Sequence, residues 1–377
     1  MSSATFSPSK VMQLSMALLL AIFLCIPTAH AADKPFVIFA NPGAQDDAFF
    51  KLMTSFMQAA ADDLGFEMAV YYGDRNHVLI DENVQTIFKR ERLPDYLVGM
   101  NARGSGVAML EKAEARRVPT IFINQSFLGD DRDKMGTPGQ KYKQWLFEYL
   151  PDDTHSGYIL AKTLIEKALA DGLAGKDGIV NVIGVSGHET SAASILREEG
   201  LKRAISEFPN AKLHQVVHAG WKQDRARELT KGLLNRYPEV TVVWSASDKM
   251  AMGIAEGIRE VKKTPGVDVL TGGVDWANFA LDMVEDGDFT VTVGGHFMDG
   301  AWGLVMLYDQ IHGVDVPQVS NSHFSLLTAE NVGRYRKNFG NNNWSKIDFR
   351  KFSKHLNPEL KEYSFGLKPL LDQVDSQ

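Results

Sequence analysis

The sequence predicts an α/β fold with two doubly wound halves, each built on a parallel sheet. Three observations lead to this prediction. Short apolar runs alternate with stretches of helical periodicity along most of the 377 residues. Residues 126–152 break that alternation once, and it then restarts. Strands separated by helices imply right-handed crossovers, and such crossovers build parallel sheets.

The first half contains four predicted strands. Residues 36–40 form an apolar run typical of a buried strand, and the apolar spacing of residues 46–64 predicts a helix that ends at Gly65. Residues 126–152 are rich in Gly, Asp and Lys, and we interpret them as an elaborated crossover. The same patterns predict strands at 68–72, 96–99 and 119–123, and helices at 83–88 and 105–115.

The second half repeats this design. Ligands of open parallel sheets bind beyond the carboxyl ends of the strands, so two such sheets facing each other would form a cleft. The predicted strands are 179–185, 213–217, 240–244, 267–272 and 289–293, and the predicted helices are 156–170, 192–208, 224–237, 249–261 and 279–285.

Residues 1–31 have the pattern of a cleavable export signal. Lys10 is the only Lys or Arg in this segment, an apolar run follows it, and Ala29 and Ala31 form a small-x-small cleavage site. The uninterrupted apolar part is shorter than the roughly 20 residues that a membrane span needs. We therefore expect cleavage after Ala31 and a soluble mature protein in the periplasm. Cys25, the only cysteine, lies in the signal, which excludes a disulfide framework and a Cys-ligated metal site.

Charge and missing motifs argue against several function classes. The formal net charge of −7 argues against nucleic acid as a partner, because phosphate binding needs a basic face. Neither a dinucleotide-binding glycine motif nor a phosphate-binding P-loop occurs. Residues 184–188 nearly match a hydrolase elbow, but His188 replaces its last glycine. His214 and His218 would stand roughly 13 Å apart on a strand, too far to share a metal. We expect no catalysis, no metal and no cofactor.

Polar and aromatic residues gather at the predicted carboxyl ends of the strands. Aromatic rings pack on the apolar face of a sugar, while amides, carboxylates and guanidinium groups bind its hydroxyls in pairs. This inventory predicts a small polyhydroxylated ligand. The candidate ligand-binding residues are Asn41, Phe49, Phe50, Asp74, Asn101, Asn124, Gln125, Arg197, Trp221, Ser247, Asp275 and His296.

Structural alternatives stay open for several of these residues. Phe49 and Phe50 are adjacent on a predicted helix, so one of them is expected to face the core. Arg197 could be a solvated helix residue, and Asp275 could be only a turn residue. Trp221 is harder to explain without a ligand, because a tryptophan in a loop needs burial or a binding partner.

Several phrases, taken together, resemble the type I periplasmic solute-binding proteins, nearest to the ribose-binding branch, over roughly residues 35–315. Residues 47–50 resemble the family's sugar-stacking aromatic pair, and residues 194–201 are similar to its motif with a sugar-binding arginine. Residues 220–221, 245–253 and 273–276 resemble its second-domain aromatic, its Asn-Asp-x-Met-Ala-x-Gly phrase and its Gly-apolar-Asp phrase, respectively.

The sequence also departs from this family pattern. Ser247 replaces the usual asparagine, and Asn124 and Gln125 stand where many members carry Asp-Arg. His296 lies near a position that is often glutamine. These departures argue against a plain ribose pocket.

The resemblance implies two lobes joined by a three-segment hinge that closes on a ligand. The expected organisation is a signal at 1–31, an N-terminal lobe at 32–153 with about 297–320, a C-terminal lobe at 154–296, and a hinge return with an extended tail at about 321–377.

The resemblance also implies a function: a monomer that captures a sugar and delivers it to the permease of an ABC importer. The alternative is a sensory co-receptor that presents its ligand state to a membrane histidine kinase or cyclase, as the autoinducer-binding member of the superfamily does. A sugar-responsive repressor shares this fold, but it would need an N-terminal helix-turn-helix where this chain has an export signal.

Overall fold

Two six-stranded sheets organise residues 34–376, which the computed structural model describes together with residue 1. The predicted signal and Cys25 lie outside the described residues, apart from Met1. The first sheet contains β1 (Phe36–Asn41), β2 (Glu67–Tyr72), β3 (Tyr96–Gly99), β4 (Thr120–Ile123), β5 (Trp145–Pro151) and β11 (Val319–Ser322). The second contains β6 (Val180–Ser186), β7 (Ala211–His218), β8 (Val242–Ser245), β9 (Leu270–Val274), β10 (Val291–Gly294) and β12 (Ser325–Leu327).

The strand orders are β11-β5-β4-β3-β1-β2 and β12-β10-β9-β8-β6-β7. Every strand pairing among these is parallel except that of β10 with β12. The buried apolar runs thus form the centres of two parallel-dominated sheets, and the predicted fold class is confirmed.

Ten α-helices of the described residues connect these strands, and two more follow the last strand. In the first half they are α1 (Ala48–Leu64), α2 (His77–Lys89), α3 (Ser105–Arg116) and α4 (Gly129–Met135). Five more belong to the second half: α5 (Asp153–Ala170), α6 (Ala192–Glu207), α7 (Gln223–Arg236), α8 (Asp248–Glu260) and α9 (Asn278–Glu285). The last three are α10 (Asp299–Ile311), α11 (Val332–Phe339) and α12 (Leu367–Asp375). No helix among the described residues is long and apolar enough to cross a membrane.

The chain passes between the two sheets three times before its C-terminal segment begins. The crossings lie between β5 and α5, between β10 and α10, and between β11 and β12. The Asp152 amide donates to Ser322 O over 3.2 Å, which ties the first crossing to the third. We call the first sheet with α1–α4 and α10 the first lobe, and the second sheet with α5–α9 the second lobe.

Residues 126–152 are more than the crossover that the sequence indicates. They contain α4 and β5, which pairs with both β4 and β11 inside the first sheet. Trp145, Phe147 and Tyr149 are buried at alternate positions, as the two-residue period of a strand requires. The Gly-rich and charged residues before them hide this short strand in the sequence.

Helices α5 and α6 pack with their backbones unusually close. A Cβ atom at Gly157 would lie 2.0 Å from Arg197 O, and a Cβ atom at Gly200 would lie 2.0 Å from Thr154 O. Real Cβ atoms do not approach a carbonyl oxygen so closely, so both positions require glycine. The contact fixes the position of α6, the helix that carries Arg197.

Gly200→Ala should therefore destabilise the protein. Overpacking a tight contact costs roughly 1–3 kcal/mol of unfolding free energy, measurable by chemical denaturation. The matched control is Gly232→Ala in α7, where an added Cβ meets no atom within 4 Å. That change should stabilise by about 0.4–1 kcal/mol. Equal stability of the two variants would show that the α5–α6 contact does not constrain the fold.

Candidate ligand-binding site

A cavity of about 80 Å³ lies between the two lobes, beyond the carboxyl ends of their strands. One water molecule needs about 10–15 Å³ of such space, so the cavity has room for about six waters, or one small polar solute. The lining residues are Asp47, Ala48, Phe49, Phe50, Arg75, Asn124 and Gln125 of the first lobe, Ala193, Arg197, Trp221, Ser247, Lys249, Asp275, Ala277 and Phe279 of the second, and His296 of the second crossing.

A wider cleft of about 1720 Å³ adjoins this inner cavity. Phe50, Trp221 and Phe279 line both spaces and form an aromatic collar between them. Asp74 and Asn101 line only the outer cleft. A solute would reach the inner cavity by passing this collar.

Arg197 is the charged centre of the site. Its side chain is only 4% exposed, and Nε donates to Asp153 Oδ1 over 2.7 Å. Nη1 donates to Ala246 O over 2.7 Å and lies 3.9 Å from Asp275 Oδ1. The alternative of a solvated helix residue is therefore wrong, because the guanidinium group is buried and held by several partners.

His296 joins this cluster from the second crossing. Its Nε2 lies 3.3 Å from Arg197 Nη2 and 3.4 Å from Asp275 Oδ1, and its ring stacks on Phe49 with 4.6 Å between centroids. Nδ1 is buried without a hydrogen-bond partner among the described residues. Buried polar atoms normally have partners, so this nitrogen lacks a partner that a buried polar atom usually has.

Burial keeps His296 neutral at neutral pH. Desolvation is the main cause that lowers its pKa from the usual value; the contact with Asp275 opposes this shift, and the charge of Arg197 adds to it. The stability that the neutral ring contributes is therefore complete above the unfolded pKa of about 6.5 and is lost as the pH falls through that value toward the folded pKa.

His296→Gln should flatten the dependence of stability on pH. Between about pH 7 and pH 5 the wild type should lose more unfolding free energy than the variant, because only the wild type has this histidine to protonate on unfolding. Denaturation at several pH values, with exposed His77→Gln as control, measures the difference. Parallel curves for wild type and His296→Gln would contradict this assignment.

Backbone conformation also marks the site. Asn124, Trp221 and Asp275 all have positive φ, at 59°, 65° and 142°. Non-glycine residues in such conformations are strained, and this strain is typical of functional sites. Asn124 Nδ2 is buried beside the Asp299 carboxyl, and its hydrogen bond opposes the rise in the Asp299 pKa that burial causes.

The two phenylalanines occupy different positions, as their adjacency predicts. Phe50 is buried, whereas Phe49 is half-buried, and the rings meet edge to face at 5.2 Å. The Asp47 side chain caps α1 by accepting hydrogen bonds from the backbone amides of Phe49 and Phe50. Arg75 Nε donates to the Asp47 carboxylate over 2.8 Å. The Arg75 guanidinium lies 5.1 Å from the centre of the Phe50 ring. This pair holds the aromatic edge of the cavity.

Three predicted site residues lie outside the inner cavity. The Asn41 side chain donates to Thr54 Oγ1 over 3.1 Å and accepts from the Gly43 amide over 2.8 Å. The Asn101 side chain donates to Ser126 O over 3.2 Å and accepts from the Gly106 amide over 3.0 Å. Asn41 and Asn101 thus organise loops, and Asp74 faces only the outer cleft.

Residues around position 248 support the site from behind. Ser247 caps α8, because its hydroxyl accepts from the Met250 amide. The buried Asp248 carboxyl accepts from the Ala277 amide over 3.0 Å and from Thr292 Oγ1. Burial, and then the nearby charge of Asp275, raise its pKa well above the usual value. Asp248 thus anchors the loop that carries Asp275.

Seven residues of the cavity lining were not among the predicted site residues: Asp47, Ala48, Arg75, Ala193, Lys249, Ala277 and Phe279. Arg75 follows a predicted strand end, and Lys249 follows Asp248 in the motif that resembles the family, so their positions could have identified them as site residues. Phe279 belongs to the apolar pattern of a predicted helix, which does not distinguish a site residue from a core residue. Among the described residues, no group of three or more His, Cys, Asp or Glu side chains is placed to hold a metal ion.

Comparison with known proteins consistently finds similarity to periplasmic binding proteins. A family model described as a periplasmic binding protein domain matches residues 37–313. The chain is 25% identical over 318 residues to the D-apiose import binding protein of Paraburkholderia graminis, covering 84% of this chain and 93% of that one. The solved structure of a periplasmic sugar-binding protein from Pseudomonas fluorescens is 31% identical in sequence and has a TM-score of 0.80. The match covers 89% of this chain and 99% of that one.

A periplasmic solute-binding protein of an ABC transporter from Actinobacillus succinogenes 130z, solved with bound D-allose, is more distant. Its TM-score is 0.69 at 19% identity, covering 80% of this chain and all of that one. At this identity the likeness supports the fold alone.

Proposed function

This chain belongs to the periplasmic binding protein domain family, and we propose on that basis that it captures one sugar molecule in the inner cavity for an ABC importer. The family places it in the periplasm, and its members bind solutes rather than transform them. The proposed role is accordingly non-catalytic. We further propose that the protein acts as a monomer and that residues 1–31 are removed on export.

The observation that supports a sugar is the arrangement around Arg197. A buried guanidinium, the Asp275 carboxylate and the unpartnered His296 Nδ1 lie beside the half-buried ring of Phe49. A sugar ring offers a C–H face to the aromatic ring and hydroxyls to the charged groups. Each hydroxyl both donates and accepts, so it suits a site that holds a cation, an anion and neutral nitrogen donors together.

The cavity and the relatives support the same ligand class. About 80 Å³ leaves room for one monosaccharide ring rather than an oligosaccharide. Two of the matched relatives are named for D-apiose import and D-allose binding, and both ligands are single sugars. We propose that Phe49 packs on the sugar face while Asn124, Gln125, Arg197, Asp275 and His296 bind its hydroxyls, and that Phe50, Trp221 and Phe279 close the entrance.

A thermal-shift screen tests the ligand class. Neutral pentoses, hexoses and polyols are compared with amino acids and dicarboxylates at equal concentration. A sugar present at about 100 times its dissociation constant should add about 2.7 kcal/mol of stability, a shift of several degrees. A shift with an amino acid and none with any polyhydroxylated compound would overturn the proposal.

Uptake measurements test the proposed delivery. Cells that lack this protein should lose high-affinity uptake of the radiolabelled sugar, and the plasmid-borne gene should restore it. Unchanged uptake in the deletion strain, despite binding by the purified protein, would refute delivery to an importer.

A further inference from the structure

The chain after β12 forms a fourth connection between the lobes. It begins on the second lobe, where α11 packs against α9, and continues onto the first lobe, where residues 344–365 pack against α1 and α10. We call residues 332–363 the strap. The resemblance to the minimal family form implies only three connections, so the strap is an addition to that form.

Charged and aromatic contacts hold the strap to the second lobe. Arg336 Nη2 lies 2.6 Å from Asp282 Oδ1, and Arg336 Nε lies 3.0 Å from Glu285 Oε1. Tyr335 is buried, with its ring centroid 5.1 Å from that of Trp276. The strap thus contacts both α9 and the residue that follows Asp275.

Aromatic packing and polar anchors hold the strap to the first lobe. The Phe56 ring of α1 meets Trp344 at 4.9 Å and Phe349 at 5.0 Å between centroids. Trp344 Nε1 donates to Ser55 Oγ over 3.0 Å, and the Phe349 amide donates to Asp63 over 2.9 Å. These contacts lie on the helix whose first turn carries Phe49 and Phe50.

A buried carboxylate fixes the end of the strap. Asp309 of α10 accepts from the amides of Lys354 and His355 over 2.7 and 3.1 Å, and from the Tyr363 hydroxyl over 2.8 Å. Hydrogen bonds to a charged acceptor are stronger than neutral ones. The first-lobe end of the strap is therefore the firmly held end.

Trp276 connects the strap to the ligand-binding site. It follows Asp275 directly, and both residues have positive φ, at 59° and 142°. Strained backbone of this kind persists only where its surroundings enforce it. The Trp276 Nε1 donates to Thr292 O over 3.2 Å, and the rings of Tyr335 and Phe297 lie 5.1 and 6.5 Å from its ring between centroids.

We propose that the strap, acting through Tyr335 and Trp276, is a positioning element that holds Asp275 in its binding conformation and ties the second lobe to the first. This inference rests on the proposed function, because Asp275 is taken there as a ligand contact. Loosening the strap frees the 275–277 loop and weakens sugar binding, even though no strap residue lines the inner cavity.

The test compares matched variants of one helix. Arg336→Gln removes the two ion pairs to α9, whereas Arg334→Gln removes an ion pair to Asp375, within the C-terminal region. Tyr335→Ala removes the ring against Trp276, and Tyr335→Phe retains it. Hydrogen exchange is read at the buried amides of Asp275 and Ala277, which donate to Val293 O and Asp248.

Tyr335→Ala should speed exchange at these two amides by roughly 2- to 30-fold, the usual size of coupling through a packed network. Arg336→Gln should speed exchange there by less, because its ion pairs are partly exposed. Arg334→Gln and Tyr335→Phe should leave exchange there unchanged. Titration with D-allose and D-ribose should show lower affinity in Tyr335→Ala and Arg336→Gln, and unchanged affinity in Arg334→Gln and Tyr335→Phe. The inference is overturned if both strap-loosening variants exchange like Arg334→Gln, or if exchange rises equally throughout the second lobe.

The exchange experiment needs no ligand, so it tests the role of the strap independently of the proposal that the protein binds a sugar. If neither sugar binds the wild type but exchange follows the expected order, the strap stands and these two sugars are excluded as ligands. If both sugars bind and exchange does not respond, the site stands and the strap is refuted.

Discussion

Arg197→Ala should abolish sugar binding and also lower the stability of the protein by roughly 3–5 kcal/mol, the usual cost of breaking a buried ion pair. The side chain of Asp153 is 3% exposed, so it would keep a desolvated charge without its 2.7 Å partner. Ala246 O and His296 Nε2 would also lose a donor. Denaturant titration and calorimetric titration with the sugar measure the two effects separately.

Arg203→Ala is the matched control on the same helix. Arg203 pairs with Glu207 over 3.2 Å at the surface, where its side chain is 58% exposed. Exposed pairs of this kind contribute little, so neither stability nor sugar affinity should change measurably. If Arg197→Ala proved as stable as Arg203→Ala, the buried network would not support the site as described.

Asp275→Asn should weaken sugar binding by roughly 2–5 kcal/mol, the range for removing one charged partner of a buried hydrogen bond. The free protein should keep its stability, because this carboxylate lies 3.4 Å from the neutral His296 ring and 3.9 Å from Arg197 Nη1, and its side chain is 15% exposed. Removing the charge of Asp275 also removes its repulsion of the Asp248 carboxylate, which helps to raise the Asp248 pKa. The expected result is therefore lost affinity with retained stability.

Asp74→Asn provides the same chemical change in the outer cleft. Asp74 does not line the inner cavity, so its substitution should leave both affinity and stability unchanged. Equal affinity losses in the two variants would indicate a general charge effect rather than a contact with the sugar. Full affinity in Asp275→Asn would remove this residue from the site.

The sequence was sufficient for the two sheets because their central strands are buried on both faces. Such strands appear as continuous apolar runs, for example the six buried residues of β1. β5 was missed because its aromatic alternation follows a charged, Gly-rich stretch. The strap was missed for a different reason: Trp344 and Ser55 are 289 positions apart, and no local pattern indicates such a contact.

The candidate site was predictable by position but not by side-chain direction. Asn41 ends β1 and Asn124 directly follows β4 of the same sheet, yet only Asn124 lines the inner cavity. Asn124 has a φ of 59°, whereas the Asn41 side chain hydrogen-bonds to Thr54 of α1. These differences depend on local backbone conformation and on neighbours distant in sequence. The burial of Arg197 likewise depends on Asp153 and Ala246, which lie on other elements.

The central claim is that one sugar is held between both lobes inside the inner cavity. A crystal structure of the complex with the sugar selected by the thermal-shift screen tests it most directly. We expect one sugar molecule that packs on Phe49 of the first lobe and hydrogen-bonds to Arg197 and Asp275 of the second. A sugar bound outside this cavity, or in contact with one lobe alone, would contradict it.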